Sequence, residues 1–109
     1  MGRPPDTLQG TLDLLILKSL EQQPNHGFGI ALHIQKVSDG LLHVEEGSLY
    51  PALRRLAKEK LVAPSWKTTD NGRHARYYKL TAAGVKRLVE AQESWTTLTK
   101  GVGKLLRFA

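Results

Sequence analysis

The sequence predicts a mainly α-helical domain that carries one small β-hairpin, which places it in the α+β class. Three observations support this class. Apolar residues recur at helical spacing through residues 7–61, an Asn-Gly dipeptide separates two runs of extended character, and a long helical pattern closes the chain. With 109 residues, of which 40% are apolar, the chain can bury one modest core but not two.

The first two helices follow from apolar residues spaced three and four positions apart. The first is expected over residues 7–22, with Asp6 or Thr7 as its N-cap and Pro24 beyond its end. Its apolar face carries Leu8, Leu12, Leu15, Ile16 and Leu20. After a turn at residues 25–27, the second helix stops near Asp39-Gly40. It carries Phe28, Ile30, Ile34 and Val37. Residues 41–44 are expected to form a brief strand or an extended link.

Residues 46–61, EGSLYPALRRLAKEKL, predict a third helix with two unlike faces. Pro51 is compatible with this helix if it lies in the first turn, where its missing N–H has no intrahelical partner. At about 100° per residue, one face gathers the apolar side chains of Leu49, Ala52, Leu53 and Leu56. The opposite face is cationic and carries Pro51, Arg54, Arg55 and Lys58, with Tyr50 at its border.

After the third helix the apolar period becomes extended, and Asn71-Gly72 lies between two such runs, which is a strong hairpin signal. A two-residue turn there would place Trp66 opposite Tyr77, a favourable aromatic pair. It would also place Lys67 opposite Arg76, a like-charged pair that makes sense if an external anion lies between them. A three-residue loop would shift this register.

Thr81 is expected to cap a final helix that runs to about Arg107. The apolar residues of this helix are spaced as in a heptad seam and comprise Leu88, Ala91, Trp95, Leu98, Val102 and Leu105. The seam either packs on the first helix of the same subunit or pairs with a second copy of the chain. Pairing in a homodimer is favoured, because the helix is longer than so small a core needs and Trp95 would otherwise be hard to cover.

The basic charge is concentrated in the middle third of the chain. The formal charge is +6 overall, and residues 48–79 alone hold eight Lys and Arg residues against Glu59 and Asp70. Such a region is either an ordinary solvated face or a surface for an anionic partner.

Composition also excludes several classes of protein. Cysteine is absent, which rules out disulfides, thiolate metal sites and cysteine nucleophiles. The four histidines show no metal-ligand spacing and the acidic residues form no catalytic cluster, so we expect no enzyme, no metal and no cofactor. Asp13 and Lys18 interrupt the longest apolar run, and no signal-peptide pattern opens the chain. We therefore expect a cytoplasmic protein without membrane contact.

Three helices, a hairpin and a fourth helix follow one another in the order of a winged helix-turn-helix. In that architecture the third helix enters the major groove of DNA and the hairpin reaches the phosphates beside it. Residues 1–80 would form the DNA-binding domain and residues 81–109 the dimerisation helix. The candidate DNA-binding residues are Ser48, Tyr50, Arg54, Arg55 and Lys58 on the helix, and Lys67, Arg73, His74 and Arg76 on the hairpin.

Several of these residues have a second interpretation. Ser48 could cap the third helix instead of binding a phosphate, and Tyr50 could be a half-buried border residue. Arg54 and Arg55 could form paired hydrogen bonds with guanine edges or bind phosphates, the second being the commoner contact.

The chain resembles the PadR-type transcriptional regulators over nearly all of its length. The resemblance is carried by residues 24–30 (PNHGFGI) and 47–56 (GSLYPALRRL), by Trp66, by residues 76–78 (RYY) and by residues 80–84 (LTAAG). Phe28 stands where the family usually has tyrosine, and residues 74–75 stand where arginines are common, which thins the charge of the hairpin.

The resemblance implies a homodimer paired through the last helix, which binds a palindromic operator and usually represses the adjacent gene. It also implies that short members, which end after one such helix, can take a small flat aromatic effector at the dimer interface. Residues 93–95 are similar to the segment where one branch of the family presents a stacking tryptophan, so Trp95 is a candidate for effector binding as well as for packing. The competing hypothesis is a winged-helix module that binds protein or RNA without operator specificity.

Overall fold

The structure is a computed structural model that describes residues 7–68 and 70–107. Along these residues its elements are α1 (Thr7–Ser19), β1 (Asn25–His26), α2 (Gly27–Val37), α3 (Glu46–Lys58), β2 (Val62–Thr68), β3 (His74–Leu80) and α4 (Ala82–Arg107). The strands form a small antiparallel sheet in the order β1-β3-β2, so the predicted α+β class is confirmed. Asp6 and the side chains of Thr7 and Leu8 lie outside the described part of the chain.

One apolar core joins the four helices to the base of the hairpin. The core residues are Ile16 and Leu17 from α1, Leu20 directly after its end, Ile30 and Ile34 from α2, the four predicted residues Leu49, Ala52, Leu53 and Leu56 from α3, and Leu88 from α4. Leu61, Val62 and Tyr78 close the core from the side of the sheet. Complete burial of a side chain such as Leu53 stabilises the fold by about 1.5–3 kcal/mol.

The first two helices differ from the prediction in detail. α1 ends at Ser19, three residues early, where the Ser19 hydroxyl donates to the carbonyl of Leu15 at 2.7 Å. On α2, Phe28 and Val37 are exposed although their spacing matches that of the buried residues. Residues 41–44 link α2 to α3 and form no strand.

The predicted turn at residues 25–27 was wrong, because Asn25–His26 is a short strand. Asn25 pairs with Tyr78 and His26 with Tyr77, which makes β1 the third strand of the sheet. Two residues are too few for any period to appear in the sequence, and only the partner strand defines them as β structure.

Pro51 lies in the second turn of α3 and not in the first, since the helix begins at Glu46. Its ring nitrogen has no hydrogen, so the carbonyl of Gly47 cannot receive the usual i→i+4 hydrogen bond. Pro51 and Gly47 are both exposed, which leaves that carbonyl on the outer side of the helix. The prediction of Pro51 in the first turn was therefore wrong, and the helix tolerates one missing hydrogen bond on its outer face.

The register of the hairpin is not that of a two-residue turn and is shifted by one position, as expected for a longer loop. Trp66 lies opposite Arg76 and Lys67 opposite Ala75, with Thr68 opposite His74 as the last pair before the loop. Residues that face each other across the ladder share a side of the sheet, while neighbours along a strand alternate. Lys67 and Arg76 therefore lie on opposite faces of the hairpin, and the like-charged pair does not exist.

The predicted cap of α4 is confirmed. The hydroxyl of Thr81 accepts the N–H of Gly84 at 3.0 Å and donates to the carbonyl of Lys60 at 2.8 Å. Gly84 is buried against the carbonyl of Leu61, and one turn later Leu88 enters the core. The first turns of α4 thus pack as part of the same core as the rest of the fold. Among the described residues, no helix is long and apolar enough to cross a membrane.

Candidate nucleic-acid interface

The outward face of α3 carries the cationic side chains, while its inward face packs into the core. Arg54 and Lys58 are exposed and lie about 40° apart on the helix wheel, opposite the buried Leu49 and Leu56. Ser48 is also exposed, but it is the third residue of the helix. The N-cap position belongs to Glu45, so Ser48 does not cap α3. A groove or phosphate that approached this face would meet two cations.

Tyr50 borders this face and packs against the start of α2. A Cβ atom added at Gly27 would lie only 2.5 Å from Cε1 of Tyr50, so the ring rests directly on the glycine backbone. Partial burial, followed by the charges of Glu46 and Tyr78, raises the pKa of Tyr50 above its ordinary value. The hydroxyl therefore keeps its proton at neutral pH and remains a hydrogen-bond donor.

Arg55 is turned away from the cationic face. Its two terminal nitrogens bind the two carboxylate oxygens of Asp13 on α1, at 2.6 and 3.0 Å, and one of them also lies 3.4 Å from Glu59. The hydrogen bond to Asp13 is the main reason that the pKa of Arg55 is raised, and partial burial opposes it. In this structure the guanidinium of Arg55 is engaged with two carboxylates of its own chain, and its role as a DNA contact stays a prediction.

The hairpin presents cations on both faces. The ammonium of Lys67 lies 5.4 Å from the ring centroid of Tyr77, and the guanidinium of Arg76 lies 5.8 Å from that of Tyr78. Each aromatic ring thus supports one cation at the hairpin surface. Arg73 and His74 are exposed where the loop between β2 and β3 meets the start of β3.

A family model for the transcriptional regulator PadR-like family matches residues 16–90 of this chain. The chain belongs to the PadR-like family of transcriptional regulators. The matched region contains α2, α3, the hairpin and the start of α4, which are the elements that build the surface described above. Regulators of this family bind DNA and are not enzymes, so the prediction of a DNA-binding transcriptional regulator is confirmed in this general form.

Solved structures support the same family and fold. The chain is 32% identical to a PadR-like transcriptional regulator from Bacillus cereus, with a TM-score of 0.77 over 94% of this chain and 97% of that one. It is 33% identical to a PadR family regulator from Eggerthella lenta, with a TM-score of 0.75 over 94% and 88% of the two chains. A transcriptional regulator from Clostridium thermocellum is 25% identical, with a TM-score of 0.83 over 97% of this chain and all of that one.

The predicted heptad seam of α4 has a part that is buried in the chain's own core and a part that is exposed. Leu88 is 1% exposed in the core of its own chain and Ala91 is partly buried, so Leu88 is removed from the predicted dimerisation residues. Trp95, Leu98 and Val102 are 41–44% exposed, and Leu105 is more exposed still. The apolar stripe that remains open begins at Trp95.

Two residues that position the elements of the candidate interface were not found from the sequence. His26 is the N-cap of α2: its Nδ1 accepts the N–H of Gly29 at 3.0 Å, while its ring meets that of Tyr77 edge-on at 5.1 Å. Histidine is not a favoured N-cap, so no local rule points to it. Asp13 lies 42 positions from Arg55 in the sequence, and an isolated acid in an apolar helix gives no sign of such a distant partner.

Proposed function

We propose that the protein is a homodimeric repressor that binds a palindromic operator in double-stranded DNA and responds to a small aromatic effector. The observation that carries this proposal is the outward face of α3, where Arg54 and Lys58 are exposed opposite a fully buried apolar face. A helix anchored in this way can enter the major groove while the core stays intact. Lys67 and Arg76 extend the cationic surface onto the hairpin, where phosphates would bind. A regulator of this kind has to reach the chromosome, which supports a cytoplasmic location.

The homodimer would form through the open stripe of α4. Trp95, Leu98, Val102 and Leu105 are spaced three, four and three positions apart and are all exposed in the single chain. Pairing two copies would cover this stripe and place two α3 helices in one assembly with twofold symmetry. Such a dimer matches an operator with two half-sites about 34 Å apart, one turn of the double helix.

The effector would bind where the two copies of Trp95 face the interface. An indole that is 41% exposed in the single chain offers a flat apolar surface on which an aromatic ring can stack. A ligand held there would act on the spacing of the two DNA-binding units, because α4 joins the interface to the core through Gly84 and Leu88.

The DNA-binding part of the proposal is tested by selecting bound fragments from random and genomic DNA. Arg54→Ala should relax the sequence preference if Arg54 contacts a base, at a cost of about 1–3 kcal/mol for the preferred sequence. Lys67→Ala should weaken all sequences alike and lower the slope of log affinity against log salt. Lys86→Ala on α4 is the charge-matched control and should change neither property.

The competing hypotheses predict other outcomes of the same selection. A module that binds RNA or protein would enrich no genomic fragment, and its affinity for DNA would be equal for random and selected sequences at every salt concentration. That result would remove the operator from the proposal.

The effector is tested by tryptophan fluorescence with planar aromatic cations and phenolic acids as probes. Because Trp66 on the hairpin is also exposed and fluoresces, each titration is repeated with Trp95→Phe. Quenching that disappears in this variant supports the stacking role. Equal quenching in both proteins, or none across the panel, assigns Trp95 to packing alone.

A further inference from the structure

The ion pair between α1 and α3 joins a carboxylate to a guanidinium through two hydrogen bonds. Asp13 presents both carboxylate oxygens to both terminal nitrogens of Arg55, at 2.6 and 3.0 Å. The side chains are only 19% and 32% exposed, so the pair is partly shielded from water and salt. A bidentate pair of this kind holds the guanidinium in one place more firmly than a single surface contact would.

Arg55 lies next to the cationic face without being part of it. On the helix wheel it is about 60° from Lys58, on the side that faces α1. An arginine side chain has several rotatable bonds, so the guanidinium could turn toward a phosphate if its partner on α1 were removed. Glu59 also contacts Arg55, at 3.4 Å, but it is the C-cap residue of α3 and its side chain is 41% exposed.

We propose that Asp13 is a positioning residue, which holds Arg55 at the flank of α3 and so withholds one cation per protomer from the DNA backbone. This inference rests on the proposed DNA-binding function. Contacts to phosphates strengthen binding to every sequence alike, whereas contacts to base edges distinguish one sequence from another. Withholding one phosphate contact therefore lowers the affinity for operator and random DNA by about the same factor and makes both affinities less dependent on salt.

The first test removes the charge of Asp13 and keeps its shape. Asp13→Asn should make the slope of log affinity against log salt steeper by about 0.9 per protomer on random duplex DNA. If the affinities at 1 M salt are equal, this slope corresponds to binding about eightfold tighter per protomer at 0.1 M salt. The affinity for the operator should rise by about the same factor, so the ratio of operator affinity to random-sequence affinity should stay the same. An unchanged slope, or a changed ratio, would overturn the inference.

A second pair of variants separates the release of Arg55 from the simple loss of a negative charge. In the double variant with Asp13→Asn and Arg55→Gln, the added slope should disappear relative to Arg55→Gln alone. A gain that persists in this background would come from the lost negative charge and would contradict the withholding of Arg55.

The third test does not depend on whether Asp13→Asn folds. Arg55→Gln by itself should leave the salt slope of the otherwise unchanged protein as it was, because the proposal gives Arg55 no phosphate contact there. A slope that decreases by about 0.9 per protomer would show that Arg55 already binds DNA and would overturn the proposal. If the unchanged protein shows no salt-dependent DNA binding, the proposed function itself fails, and this outcome is visible before any variant is compared.

Discussion

Replacing Gly27 by alanine is expected to push the ring of Tyr50 away from the start of α2. The added Cβ would lie 2.5 Å from Cε1 and 3.0 Å from Cζ of that ring, which is closer than carbon atoms in proteins approach. Gly27 is buried at the first position of α2, and Tyr50 belongs to α3, so the contact joins the two helices. Because α2 could move away only by opening the core, we expect the ring of Tyr50 to move instead.

The magnitude follows from two opposing effects. Overpacking by one methyl group costs about 1–3 kcal/mol. Replacing glycine by alanine at a compatible backbone position stabilises by about 0.4–1 kcal/mol, because the unfolded chain loses freedom. We expect Gly27→Ala to destabilise the protein by about 1–2 kcal/mol when Tyr50 is present, and to be neutral or slightly stabilising beside Tyr50→Ala. The coupling energy between the two positions should therefore be about 2 kcal/mol.

The free energy of unfolding is measured by urea denaturation of the four proteins of this cycle, at one fixed protomer concentration because the proposed dimer makes stability concentration-dependent. Gly10→Ala in α1 is the matched control, since a Cβ there would meet nothing within 4 Å, and it should stabilise the helix. Additive effects at Gly27 and Tyr50, within about 0.5 kcal/mol, would refute the contact as the reason for the glycine.

Three other predictions follow from the same structure. Leu98→Glu should yield monomers that still fold but no longer bind the operator, and sedimentation should show this. Leu88→Ala should instead lower the free energy of unfolding by about 2–5 kcal/mol, as measured by urea denaturation. A Leu98→Glu protein that stays dimeric would contradict the assignment of the open stripe to the dimer interface. Thr81→Ala should cost about 1–2 kcal/mol of stability by removing the cap of α4, and Thr81→Ser should restore it, so equal stability of the two would contradict the cap. Because the pKa of Tyr50 is raised in the folded state, its proton stabilises the fold below the ordinary tyrosine pKa, and this stability should be lost as the pH rises above about 10. Urea denaturation across that range should show a smaller loss for Tyr50→Phe, and identical pH profiles would contradict the assignment.

Much of the fold could be predicted from the sequence because its signals are local. The spacing of Leu49, Leu53 and Leu56 defines which face of α3 is buried, and no distant residue is needed to see it. Thr81 could be identified as a cap because its partner, Gly84, is three residues away. The family resemblance was visible for the same reason, since its motifs are short runs of adjacent residues.

The candidate site was predicted less completely, because its geometry depends on residues that are far apart in the chain. The register predicted for a two-residue turn was wrong by one position, because the loop after Thr68 is longer than the Asn-Gly signal suggests. This loop includes Gly72, whose φ of 82° lies in the left-handed region. β1 was missed because its two residues are defined only by pairing with Tyr77 and Tyr78.

The sequence by itself determined that α3 would have an apolar and a cationic face, because a helix repeats every 3.6 residues whatever surrounds it. It also determined that α4 would carry an apolar stripe and that the chain would be basic in its middle third. Only the tertiary structure decided which cations remain on the outer surface: Arg54 stays exposed, while Arg55 is bound by Asp13 from another helix. It likewise decided that Leu88 belongs to the core and that the open stripe begins at Trp95. The physical reason is that ion pairs and burial depend on distance in space, and these partners are brought together only when the helices pack.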